Sequence, residues 1–244
     1  MKVTTHQVGE HEALLTAYVQ DRSEEMRDVH RRPGVLVLPG GGYLMTSDRE
    51  AEPVALAYLA AGFNAFVLRY AVGQDVPVER SGADGRAALR WLREHAEDVA
   101  LAPGQLAVAG FSAGGHLAIS LGTGPEGRPD ALVLGYPVVL EELGARLGKQ
   151  IGDVLADVDP RTPPTFVFST VPDEVVPVRH TLGLLSVLDR HRVPFEAHLY
   201  PHGAHGLSLA QRHTAGGRPE MVEPVVAGWL EDSVRFLRRT FGVD

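Results

Sequence analysis

The chain has 244 residues, 44% hydrophobic and 22% charged, which suits one α/β domain over residues 1–244 with a sizeable core. A net charge of −8 without any lysine- or arginine-rich run argues against a nucleic-acid partner. The lack of cysteine excludes disulfides, thiolate catalysis and thiolate metal sites, and no apolar stretch approaches the roughly 20 residues of a membrane span.

The N-terminal Met1-Lys2-Val3-Thr4-Thr5-His6-Gln7 lacks the apolar run of a secretory signal, so the expected location is cytoplasmic. Leu14–Val19 reads as a first edge strand. Gly34–Leu38 is an apolar, β-branched run that ends in Pro39 and three glycines, as a buried strand entering a tight loop would. Ser47-Asp48-Arg49-Glu50 has capping-box spacing, although Pro53 places the start of regular helix nearer itself. The helix Pro53–Ala61 closes at Gly62. Strand Asn64–Tyr70 and a longer helix, Arg80–Ala100, follow.

The alternation then continues through strand Leu106–Ala109, helix Ala113–Leu121, strands Ala131–Leu134 and Thr165–Ser169, helix Arg179–His191 and strand Phe195–Tyr200. A last helix covers about Pro224 to Arg239. Glu141–Pro160 fits a helix, a loop or a reduced cap over the site. Strands separated by helical segments imply βαβ units and a mostly parallel, doubly wound sheet flanked by helices.

Gly110-Phe111-Ser112-Ala113-Gly114 sits where a strand gives way to a helix, the context of a nucleophile elbow. A serine hydroxyl needs a base to take its proton, and the base needs a carboxylate to orient it. Asp173 follows one strand and His205 the next, in the order serine, acid, histidine. Glu174 and His202 are the competitors. Asp173 is preferred for its spacing to Val176-Pro177, and His205 because His-Gly allows close backbone approach. The loop Pro39-Gly40-Gly41-Gly42-Tyr43 supplies oxyanion donors, namely the Gly41 and Gly42 amides together with that of Ala113. Tyr43 is a substrate-binding candidate, with a role covering the loop as the alternative.

His116 reads as a buried or supporting histidine beneath the elbow, and Asp48, Arg49 and Glu50 as a solvated helix start with local ion pairs, contact with a polar substrate being the alternative. His198, His202 and His205 do not form a convincing metal cluster, because His198 lies within a strand. No metal and no cofactor are expected.

These segments resemble the α/β-hydrolase family, specifically its small acetylxylan esterase-like, xylanase-associated carboxylesterases. The resemblance is carried by Val37–Tyr43, Ser47–Val54, Ala65–Tyr70, Gly110–Leu117, Thr162–Phe166, Asp173–Pro177 and Tyr200–Leu207, and runs from about Pro33 to Leu209. It implies an α/β-hydrolase fold with an eight-stranded type of sheet, little or no cap, and a Ser112–His205–Asp173 triad. Two departures stand out. Val138–Thr162 is shorter than the family's pocket-roofing segment, and Pro172 replaces the first of two adjacent acids. The implied activity is hydrolysis of short-chain acyl esters, foremost O-acetyl, of sugars or small alcohols. Intracellular small-molecule esters suit the chain better than polymeric xylan. Acyl transfer, lactone opening, formamide hydrolysis and a non-catalytic receptor are the alternatives. No membrane partner is expected, and homo-oligomerisation is left open.

Overall fold

A computed structural model describes residues 1–10, 12–26 and 30–243. Eight strands form one sheet: β1 (Lys2–Val8), β2 (Ala13–Val19), β3 (Arg32–Leu38), β4 (Asn64–Arg69), β5 (Leu101–Phe111), β6 (Ala131–Gly135), β7 (Thr165–Thr170) and β8 (Phe195–Tyr200). Their order across the sheet is β1-β2-β4-β3-β5-β6-β7-β8. The β1–β2 and β2–β4 pairs are antiparallel and all other pairs are parallel.

The side-chain alternation of each strand feeds two cores. In β3, Leu36 and Leu38 point to one face and Val35 and Val37 to the other, all fully buried. The first face is covered by α2 (Val78–Glu94), α3 (Ala113–Thr123) and α5 (Arg179–Arg190), through residues such as Leu89, Leu117 and Leu188. The second is covered by α1 (Glu52–Ala60) and α7 (Trp229–Phe241), where Tyr58 packs edge-on against Trp229. Helices on both faces explain why the central strands read as continuous apolar runs.

The segment read as the first edge strand is the second one in. Lys2–Val8 pairs outside it, with Lys2 opposite Val19 and Val8 opposite Ala13. Only Val8 of that outer strand is buried, so it carries no apolar alternation. The second helix also ends earlier than its composition suggests. After Glu94 the chain turns, because the buried Asn64 side chain donates to the Val99 and Ala100 carbonyls at 2.9 and 3.1 Å. The last helix is interrupted at Gly228, where the short α6 (Pro224–Ala227) meets α7.

Beyond β6, the 138–162 segment contains α4 (Glu142–Leu147), closed by Gly148 at φ 64°, and a single 3-10 turn at Leu155–Asp157. From β3 the chain steps to β4 on one side and then returns to β5 on the other. This reversal opens a crevice at the carboxyl ends of β3 and β5, the natural place for a site in a parallel sheet.

Candidate active site

Ser112 stands at the end of β5 with φ 53° and ψ −117°, a conformation that costs about 1–3 kcal/mol and persists only if its surroundings enforce it. Its neighbours do so. A Cβ on Gly110 would lie 2.2 Å from the Gly114 carbonyl oxygen, and one on Gly114 would lie 2.1 Å from the Leu38 carbonyl oxygen. Only glycine permits that approach of α3 to β5 and β3. The Ser112 amide donates to Gly135 O at 3.0 Å, and its carbonyl accepts from His116 N and Val138 N.

His205 Nε2 lies 2.9 Å from Ser112 Oγ, and His205 Nδ1 lies 2.7 Å from Asp173 Oδ2. The other carboxylate oxygen of Asp173 accepts the Val175 and Val176 amides at 2.9 and 2.8 Å. With Nδ1–H donated to this carboxylate, Nε2 is left free to accept the serine proton. The Asp173 side chain is fully buried, whereas the His205 ring keeps a 17% opening to solvent. The structure therefore joins Ser112, His205 and Asp173 by hydrogen bonds. The rivals are elsewhere: Glu174 lines the cavity wall, and His202 is exposed. His198 pairs with Glu196 at 3.1 Å and faces Asp232 at 3.6 Å.

A cavity of about 680 Å³ opens above Ser112, bounded by Gly41, Gly42, Ala113 and His205. Among the described residues, none accepts a hydrogen bond from the Gly41, Gly42 or Ala113 amides. For Ala113 this follows from its place as the first residue of a helix. Leu143, Arg146 and Leu147 of α4 line the cavity from the 138–162 segment, together with Val138, and Arg49, Glu50 and Arg218 add charged groups to the wall.

Tyr43 does not take the substrate-binding place expected of it. It is 1% exposed and turned under the loop, where its hydroxyl bonds His116 Nδ1 at 2.8 Å. Its backbone, at φ 61°, directs the side chain inward. The same pairing accounts for His116, which also holds Gly152 O through Nε2 at 3.1 Å. Burial pushes the His116 pKa down to about 4 and that of Tyr43 well above its ordinary value, so a neutral imidazole accepts from a protonated phenol.

The Asp48–Glu50 segment is a 3-10 turn, and only part of it is a solvated helix start. Asp48 forms the expected surface ion pair, with Arg69 at 2.7 Å. Arg49, by contrast, donates to the Gly206 and Thr214 carbonyls, both at 3.0 Å. Glu50 is 3% exposed and accepts from Gly40 N at 2.8 Å and from Tyr136 Oη at 2.6 Å. The sequence reading missed both the inward turn of Glu50 and any role for Tyr136. The available signal was a short acidic-basic run beginning six residues after the last glycine of the loop.

The family model described as BD-FAE matches residues 12–131. Endo-1,4-beta-xylanase B of Butyrivibrio fibrisolvens is 32% identical over 210 residues, covering 74% of this chain and 33% of the relative. An acetylxylan esterase of Xylanibacter ruminicola is 29% identical over 200 residues, covering 72% of this chain and 41% of the relative. The chain thus spans about a third to two fifths of the length of these curated relatives. Among solved structures, MGS-M1, an alpha/beta hydrolase enzyme from a Medee basin deep-sea metagenome library, superposes with a TM-score of 0.93 at 41% identity, covering 99% of this chain and 98% of that one.

Proposed function

This chain belongs to the α/β-hydrolase family, and from that premise we propose that it is a serine carboxylesterase acting on short-chain acyl esters, foremost O-acetyl esters of sugars or small alcohols. One observation carries the reading: the unbroken hydrogen-bond chain from Ser112 Oγ through His205 to Asp173, at the floor of an open cavity. The curated relative named acetylxylan esterase supports the choice of ester and acyl group. The apolar side chains of Leu143 and Leu147 on the cavity wall give an acyl group a surface to pack against.

In this mechanism Ser112 Oγ attacks the acyl carbon while His205 Nε2 takes its proton. The Asp173 carboxylate keeps the Nδ1–H tautomer and stabilises the imidazolium. Negative charge grows on the former carbonyl oxygen and meets the free amides of Gly41, Gly42 and Ala113. Collapse expels the alcohol, which leaves with the proton from His205. Water then attacks the acyl-enzyme, giving a proton to His205, and collapse releases the acid as His205 returns that proton to Ser112 Oγ.

The test pairs a fluorophosphonate probe with a panel of p-nitrophenyl esters and acetylated sugars, run on wild type and Ser112→Ala. The reading expects covalent labelling of Ser112, cleavage of acetyl esters in preference to longer ones, and no activity in the variant. A Ser112→Ala protein that keeps its rate, or equal cleavage of all acyl lengths, overturns the mechanism or the substrate class respectively.

A further inference from the structure

Glu50 has no part in the ester cycle above, yet its two carboxylate oxygens reach the two loops on which that cycle depends. Oε2 accepts the Gly40 amide at 2.8 Å. Gly40 immediately precedes the oxyanion glycines, and a Cβ placed on it would lie 3.0 Å from Ser112 Cβ, so this peptide rests against the nucleophile. Oε1 accepts the Tyr136 hydroxyl at 2.6 Å, and the same phenolic oxygen accepts the Ser208 amide at 3.0 Å, three residues past His205. The Tyr136 ring also meets the His205 imidazole edge-on, 5.0 Å between centroids.

Among the described residues no cation forms an ion pair with Glu50. A carboxylate buried without a cation is costly unless hydrogen bonds compensate it. Here two donors converge on it, and a carboxylate is the one side chain of this length that accepts at both ends. Glutamine would offer one acceptor and one donor. Burial, reinforced by the nearby carboxylate, raises the Tyr136 pKa well above its ordinary value, which keeps the phenol protonated and donating. Each oxygen is engaged by a donor from a different loop, which suits Glu50 to holding the two loops together at the cavity's edge.

We propose that Glu50 is a positioning residue for the esterase reaction. It fixes Gly40-Gly41-Gly42 on one side and, through Tyr136, the His205 loop on the other, at the spacing a tetrahedral intermediate requires. The inference rests on the serine-esterase reading. Misplacement of donors that are used only in the transition state lowers kcat and leaves ground-state binding almost intact.

The experiment measures p-nitrophenyl acetate hydrolysis and inhibition by phenylboronic acid, whose tetrahedral adduct on serine would place an oxygen against the oxyanion amides. Glu50→Gln is expected to lower kcat about 10- to 100-fold with KM nearly constant, and to weaken boronate inhibition by a similar factor. Wild-type kcat and boronate affinity in Glu50→Gln overturn the proposal. So does a loss that vanishes once rates are referred to the folded fraction measured by near-UV circular dichroism. If Glu50→Gln does not fold, Tyr136→Phe decides, because it releases Oε1 and the Ser208 amide but keeps the ring against His205. A kcat about ten-fold lower supports the role, and an unchanged kcat refutes it. Ser112→Ala is assayed alongside: if it retains the wild-type rate the esterase reading itself fails, whereas an inactive Ser112→Ala beside a fully active Glu50→Gln removes the role of Glu50 alone.

Discussion

Asp173 holds His205 with one carboxylate oxygen at 2.7 Å, while its other oxygen is occupied by the backbone amides of Val175 and Val176. The carboxylate cannot swing without breaking those bonds, so the imidazole is kept in the tautomer that leaves Nε2 facing Ser112. Asp173→Asn keeps the shape but sets an amide group against Nδ1, which favours the wrong tautomer. The expected result is a fall in kcat of about 10³–10⁴-fold with little change in KM, read by p-nitrophenyl acetate hydrolysis. A variant that keeps a tenth of the wild-type rate would remove Asp173 from its proposed role.

The two proposed oxyanion glycines differ in what they tolerate. Gly41 has φ +134°, and a Cβ there would lie 2.2 Å from the Met45 carbonyl oxygen. Gly42 has φ +66°, and its Cβ would meet only the Leu147 side chain at 3.1 Å. Gly42→Ala is therefore expected to fold at a cost of about 1 kcal/mol, since the left-handed region is accessible to alanine at that price. Gly41→Ala is expected to cost more than about 3 kcal/mol, because backbone overlap adds to strain. Urea unfolding of both variants tests the ranking, and equal midpoints would contradict it.

Much of this was legible in the sequence because it rests on local chemistry. The buried strands announce themselves as apolar runs, and the elbow needs its glycines for reasons that five residues disclose. Asp173 and His205 follow from strand-end placement in chain order. What stayed hidden depends on partners distant in sequence. Glu50 is a surface-type residue by composition, and only its meeting with Tyr136, 86 residues away, makes it a buried acceptor. Tyr43 borders the glycine loop, yet a positive φ and His116 draw its ring beneath the cavity. The outer strand Lys2–Val8 escaped because two of its three inward positions, Thr4 and His6, are polar, His6 packing on Trp91, so its alternation is not an apolar one.

The α4 wall of the cavity yields a prediction about acyl length. Leu147 lines the cavity from the last turn of α4 and lies over Gly42, so its side chain bounds the space available to an acyl tail. Leu147→Ala removes that wall. The ratio of butyrate to acetate turnover is expected to rise roughly five-fold, the order of magnitude that one or two additional buried methylenes confer. An unchanged ratio would place the acyl tail elsewhere in the cavity.

The remaining prediction concerns stability at acid pH. His116 is 4% exposed and lies between Tyr43 Oη and Gly152 O, and burial lowers its pKa from 6.5 to about 4 in the folded protein. In the unfolded chain it titrates at its ordinary value. Between those two values the unfolded state binds more protons than the folded one, so unfolding free energy rises with pH across that window. The contribution is complete above pH 6.5 and is lost as pH falls towards 4. Glutamine at this position could accept from Tyr43 and donate to Gly152 without titrating. Wild type should therefore lose about 2 kcal/mol more than His116→Gln between about pH 7 and pH 5 when both are unfolded in urea. Parallel pH profiles would show that His116 does not change its protonation on unfolding, and the buried neutral imidazole would have to be abandoned.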